Sequence, residues 1–187
     1  MRLPFNEKKA TQAAACLLRL RGGRMSYMKL IKLLYLADRA SLTRRGRPIT
    51  TDRYVSMDRG PVLSRTLNLI TEDRDPAAPS FWAECIAEPV NYEVELKSDP
   101  GVDELSQSEE RILEEIFAEH GRKSRWELVK LTHDLPEWQD PEGGALPIEY
   151  ETILKAGGQS PEEIQAVVGD LEEVGALTAI LARYAPR

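Results

Sequence analysis

The sequence predicts a mainly α-helical α+β domain of about six to seven helices, with a small antiparallel sheet or hairpin inserted between N- and C-terminal helices. Three observations carry this. Apolar residues recur at three- and four-residue spacing over most of the 187 residues, alternation replaces that spacing in only two stretches, and Ser-x-x-Glu signals open three helices in the second half. A chain of this length supports a single domain over 1–187 with one main core. Within it, a basic helical part with the small sheet covers 1–97 and acidic helices cover 104–187. The turn Asp99-Pro100-Gly101, in the loop from Lys97 to Leu105, marks the boundary.

The first helix follows Asn6 as its cap, runs through Ala10, Ala13, Ala14, Leu17 and Leu18, and stops at Gly22-Gly23. Ser26 is the expected cap of the second. There Leu30, Ile31, Leu33, Leu34, Ala37 and Ala40 form a stripe broad enough for a central helix, and Gly46 follows Arg44 and Arg45 as its stop. Lys29, Lys32 and Arg39 are assigned to a solvated remaining face. Tyr54-Val55-Ser56-Met57 reads as a strand, and Pro61 suits the first position of a helix through Leu63, Leu67 and Ile70. Phe81–Ile86 and Tyr92–Leu96 alternate and read as a hairpin, with Glu84, Glu93 and Glu95 on its exposed side. Ser106, Ser124 and Ser160, each three residues before a Glu, begin helices of roughly 107–119, 125–133 and 161–183. The Glu-rich run from Glu109 to Glu119 reads as a solvated helix face.

The net charge of −6 hides an asymmetry. Up to Arg74 there are 16 Lys and Arg against 6 Asp and Glu, a balance of +10; the remainder carries 9 against 25, a balance of −16. Two arrangements follow: a basic and an acidic face that steer a partner, or halves that interleave and neutralise each other. No run reaches the roughly 18 apolar residues of a membrane span, and no secretory signal opens the chain, so a soluble cytoplasmic protein with no membrane partner is expected. Cys16 and Cys85 lack any framework or metal-ligand spacing and read as buried, reduced thiols.

Catalytic and metal-binding patterns are missing. His120 and His133 have no second His or Cys at ligand spacing, and no nucleophile elbow, phosphate loop or dinucleotide fingerprint occurs. The serines are explained as caps, which leaves a hydrolase on Ser124 or Ser160 with His133 the weakest reading. Both histidines sit at expected helix ends, where an imidazole can hydrogen-bond carbonyls and favour the dipole. No catalytic residue, cofactor or metal is therefore assigned.

Four ordered stretches, KLIKLLYLAD at 29–38, GRPIT at 46–50, YVSMDRGPVLS at 54–64 and SRWELVKLTHDLPEW at 124–138, resemble the Panacea domain of SocA-like antitoxins, a family that includes phage-associated proteins. The resemblance spans about residues 10–155. It implies a helical domain with a small sheet, no enzymatic activity, and a cognate toxin protein as partner, neutralised by direct contact. In one branch it implies an adaptor that delivers the toxin to a protease. Arg59 departs from the pattern, where His or an aromatic residue is expected before Gly-Pro-Val. The rigid Gly60-Pro61 junction suggests a protein-binding surface with Tyr54, Met57, Arg59 and Arg65 as contacts, since Tyr, Met and Arg are enriched in interface cores. Tyr54 and Met57 also fit ordinary core positions. A DNA-binding regulator is the alternative, with the basic half on phosphates; the −16 half argues against it.

Overall fold

The computed structural model describes residues 3–72 and 80–184. Among them lie eight helices and two small antiparallel sheets, the mainly helical α+β architecture that the spacing predicts. Helix α1 (Glu7–Leu20) is capped by Asn6, whose side chain accepts from Lys9 N at 3.0 Å. Its small residues Ala10, Ala13 and Ala14 are fully buried, and they let α1 lie close to its neighbours.

Helix α2 (Tyr27–Arg45) runs through the middle of the molecule and ends at Gly46, whose φ of 70° is the left-handed conformation that a residue without Cβ adopts at low cost. Ser26 stands at its N-cap position, but the Ser26 hydroxyl is buried and makes no hydrogen bond there. Entry into α2 is fixed instead by strand β1 (Arg24–Ser26), which pairs with β4 (Glu93–Glu95) in register Met25↔Val94. The expected solvated face of α2 does not exist, because α1, α5, α6, α7 and β3 all pack around the helix. Lys29 donates to Gly121 O and Lys123 O at 2.6 and 2.8 Å, satisfying carbonyls at the end of α5 (Gln107–His120). Arg39 donates to the buried Glu137 carboxylate at 2.6 Å, which also accepts from Tyr35 OH at 3.0 Å. Lys32 is buried as well.

The three-stranded sheet has the order β3-β2-β5, from β2 (Tyr54–Met57), β3 (Gly60–Leu63) and β5 (Leu146–Ile148). Pro61 therefore lies in an edge strand, not at the start of a helix, and its missing N–H costs no ladder bond on the open side. Helix α3 (Ser64–Thr71) starts three residues later because Asp52 caps it from outside: its carboxylate accepts from Arg65 N, Thr66 N and Thr66 Oγ1 at 2.9, 2.8 and 2.7 Å.

The hairpin expected over 81–96 is also replaced. Phe81–Cys85 forms the short helix α4, with Ser80 Oγ accepting from Ala83 N. Glu7 of α1 accepts from Ser80 Oγ and Trp82 N, which ties the helix start down, and Trp82 is fully buried. The second half of the expected hairpin pairs with β1; only the single bridge Ile86↔Leu96 joins the two stretches.

All three Ser-x-x-Glu signals form reciprocal capping boxes, at the starts of α5, α6 (Arg125–His133) and α8 (Pro161–Tyr184). Glu109 departs from the solvated reading: it is buried and pairs with Lys9 at 2.9 Å. The short helix α7 (Tyr150–Ala156) adds to the sequence expectation. One hydrophobic cluster draws from α1, α2, the sheets, α5, α6, α7 and Leu171 of α8. Both cysteines are free and buried, and burial pushes the Cys16 thiol up. No described helix is long and apolar enough to cross a membrane.

The basic and acidic halves interleave. Lys9–Glu109, Arg39–Glu137, Arg44–Glu115, Arg45–Glu109, Arg19–Asp99 and Lys8–Asp103 all join a cation of the first 74 residues to an acid of the remainder. Six cations of the first 74 residues are thus paired with acids of the remainder.

Candidate functional site: a groove beside the β2–β3 turn

One face of α2 borders a groove near its start. Met28, Ile31 and Lys32 share that face at helical spacing and form one side of this groove of about 330 Å³. Opposite them stand Met57 of β2, Asp58 and Arg59 of the β2–β3 turn, then Val62 of β3, Leu67 and Thr71 of α3, and Gly143 and Gly144 of the loop before β5. The loop is fastened along β2: Trp138 Nε1 donates to Met57 O at 3.1 Å, Gln139 N to Ser56 Oγ at 3.3 Å, and Gly143 N to Asp58 Oδ1 at 3.1 Å. The turn itself needs Gly60. Its φ is 90°, and a Cβ there would lie 2.7 Å from Thr132 Oγ1 and 3.0 Å from Lys32 Nζ.

Lys32 is 1% exposed, and its ammonium donates to Pro61 O at 2.7 Å. Burial pulls its pKa down from the ordinary 10.5 to about 7, because no described acid pairs with it. His133, at the end of α6, approaches Gly60 from the other side and stacks on Trp138 with ring centroids 4.2 Å apart. Its Nε2 is buried without a hydrogen-bond partner, so the expected carbonyl contact is replaced by ring stacking. His120 likewise ends α5 with an unpartnered Nδ1, and burial lowers its pKa despite the opposing pull of Glu119. Neither histidine stands in a hydrogen-bonded array with Ser124 or Ser160, whose hydroxyls cap Glu127 N and Glu163 N. Among the described residues no group of three or more His, Cys, Asp or Glu could hold a metal ion.

The four contacts expected from sequence separate. Met57 and Arg59 line the groove. Tyr54 does not reach the surface: it is 1% exposed, donates to Asp38 Oδ2 at 3.1 Å, and packs against the rings of Tyr35 and Tyr150. It supports the site from beneath, because alternation along β2 turns residues 54 and 56 inward and 55 and 57 outward. Asp38, which also accepts from Ile49 N, Thr50 N and Thr50 Oγ1, is pushed up to about 6 by burial in spite of these donors. Arg65 lies over Phe5 in a different cavity, lined by Leu3, Pro4, Thr51 and Tyr150.

Two residues not singled out by the sequence join the site. Lys32 forms its floor, and Trp126 forms a ridge beside it: the indole is 54% exposed and carries Arg59 and Arg125 guanidinium groups at 5.7 and 5.3 Å from its ring. A signal for Trp126 was present, since Leu128 and Thr132 mark the buried face of α6 and Trp126 falls outside it.

The arrangement is a helical domain presenting an apolar groove with cationic and aromatic margins. Residues 30–139 match the model of the family described as antitoxin SocA-like, Panacea domain, which is more than half of the chain. The chain belongs to the SocA-like antitoxin Panacea domain family. The match is narrower than the span of the motif resemblance, yet it includes Ile31, Lys32, Met57–Arg59, Trp126 and Trp138. Neither the curated proteins nor the solved structures contain a match.

Proposed function

We propose that this protein is a non-enzymatic antitoxin that neutralises a co-encoded toxin by direct binding, with the groove and the Arg59–Trp126–Arg125 ridge as its contact surface. The observation that carries the reading is the exposed Trp126 held between two arginines at the rim of an apolar groove. Trp and Arg are the residue types on which binding energy concentrates. Delivery of the toxin to a protease is a downstream variant of the same contact. The DNA-binding reading is not favoured, since Lys9, Arg39, Arg44 and Arg45 of the basic half are paired with acids of the other half and the net charge is −6.

Co-expression with the product of each neighbouring gene tests the proposal. The expected result is rescue from growth arrest and a co-purifying complex, with the toxin chemically unmodified. Trp126→Ala should raise the dissociation rate by an amount typical of a central anchor, about 2 kcal/mol or thirtyfold. Arg59→Glu with Arg125→Glu should mainly slow association, and more so at low salt. Arg65→Glu, in the separate cavity, should leave both rates alone. Growth arrest that persists with every neighbour despite abundant folded protein would refute the antitoxin reading. A toxin whose cellular half-life collapses on co-expression would assign delivery to a protease rather than occlusion.

A further inference from the structure

The geometry points to a carboxylate-binding notch at the floor of the groove: Lys32 takes the side-chain carboxylate of an Asp or Glu in a toxin segment whose flanking apolar residues rest on Met28, Met57 and Leu67. This rests on the reading of the groove as the toxin contact. Its starting point is that Lys32 is the exception among the buried charges. Lys29 donates to two backbone carbonyls, Arg39 is paired with Glu137, and the carboxylates of Asp38 and Asp52 each accept several hydrogen bonds. Lys32 Nζ has three donors when charged and uses one, on Pro61 O. A buried ammonium with a single neutral acceptor is poorly compensated for the water it has lost. Lys32 lines the groove, and Gly60 places no side chain over the amine.

The chemistry of the surroundings selects the ligand. Met28, Ile31, Met57, Val62 and Leu67 make the walls apolar, which suits a peptide side chain and its hydrophobic neighbours. A phosphate would need several convergent donors, whereas Arg59 is drawn to the Trp126 ring and Asp58 adds a negative charge at the rim. One carboxylate on one ammonium leaves less charge uncompensated. The titratable groups around Lys32 are Tyr27 on its own helix, Asp58 and Arg59 in the turn, and His133 from α6. With burial holding the free amine near 7, an incoming carboxylate raises that value and binding takes up a proton. Affinity is therefore greatest below pH 7 and falls as pH rises. Between pH 6.5 and 8.5 the protonated fraction of the free amine drops about 25-fold, which bounds the expected loss.

The test uses two capped peptides, acetyl-Leu-Glu-Leu-amide and its isosteric acetyl-Leu-Gln-Leu-amide, titrated into the full chain with NMR observation of methionine methyls and lysine Nζ. Expected are saturable shifts at Met28 and Met57 with the Glu peptide, at least tenfold weaker binding of the Gln peptide, and a rise in the Lys32 pKa on saturation. The Glu preference should fall toward parity at pH 8.5 and vanish in Lys32→Met. The Lys32 titration needs no variant, so it decides the matter even if Lys32→Met is misfolded. Equal affinity of the two peptides, no response at Met28 and Met57, an unmoved Lys32 pKa, or a preference retained in Lys32→Met would each overturn the proposal. A toxin complex indifferent to Lys32→Met, together with failed peptides, would sink the notch and leave the antitoxin reading standing. Peptide selectivity without any toxin neutralised would do the reverse.

Discussion

Replacing Lys32 by Met should stabilise the protein at neutral pH. The folded amine sits at about 7 against 10.5 in a solvated chain, a gap that corresponds to at most about 5 kcal/mol. Between pH 7 and 10.5 the unfolded chain binds a proton that the folded chain does not. The penalty from Lys32 is thus full below pH 7 and fades as pH rises toward 10.5, so stability increases with pH across this window. Lys32→Met removes the penalty and keeps an unbranched side chain along the same path, where the thioether adapts to the space. Against this stands the loss of the hydrogen bond to Pro61 O, a buried carbonyl left unpaired at about 1–3 kcal/mol. The net gain at pH 6.5 is about 2–4 kcal/mol, or a Tm higher by roughly 5–12 °C for a chain of this size. Urea unfolding of both proteins at pH 6.5, 8 and 9.5 measures the difference, in which titrations common to the two cancel. The gap should narrow steadily with pH and be closed or reversed at 9.5, where the remaining penalty of about 1.4 kcal/mol no longer exceeds the lost hydrogen bond. A variant less stable than wild type at pH 6.5, or a gap independent of pH, would refute the account of Lys32 as a buried, under-compensated amine.

Asp52→Ala should cost about 2–4 kcal/mol in urea unfolding, because α3 loses the acceptor of Arg65 N, Thr66 N and Thr66 Oγ1; Asp52→Asn, which keeps one oxygen, should cost about half as much. Glu137→Ala should cost about 3–5 kcal/mol by stranding Arg39 and Tyr35 OH, while the pair Arg39→Met with Glu137→Leu should recover most of that loss in a double-mutant cycle.

The helices were legible where local chemistry and tertiary packing agree. Asn6, Gly46 and the three Ser-x-x-Glu boxes act within four residues of themselves, so their signal survives in the sequence. The misread segments are those decided by distant residues. Pro61 looks like a helix start because Asp52, nine residues earlier, is the real cap of α3 and sets its beginning at Ser64. Phe81–Cys85 alternates like a strand, yet Glu7 anchors it as a helix from 74 residues away in the chain. Lys29, Lys32 and Arg39 carry charge at positions that α2 buries, and their carbonyl and carboxylate partners lie between 29 and 98 residues off. Of the groove, Met57 and Arg59 lie where the sequence singles out the Gly60-Pro61 junction, Tyr54 takes the core position that its strand spacing also allows, and Lys32 could not be found without the fold.

That failure has a physical content of its own. Local rules are broken most readily where a chain tolerates a cost for a reason other than folding. Asp38 and Glu137 are buried charges with their acceptor capacity used, and they explain how the loop after α2 and the segment before β5 are held. Lys32 is held by one carbonyl, on the face of the central helix that lines the groove, beneath a turn whose Gly60 leaves room for the amine. If the charge served only the fold, a second acceptor or an apolar side chain would relieve the penalty at little structural expense. A partner carboxylate relieves the same penalty on binding, so the energy withheld from folding becomes available to the complex. Stability and affinity should then move in opposite directions in Lys32→Met: a higher Tm for the free protein, and a complex that has lost its dependence on pH between 6.5 and 8.5. An equal gain in both would mean that the amine is a structural burden and nothing more.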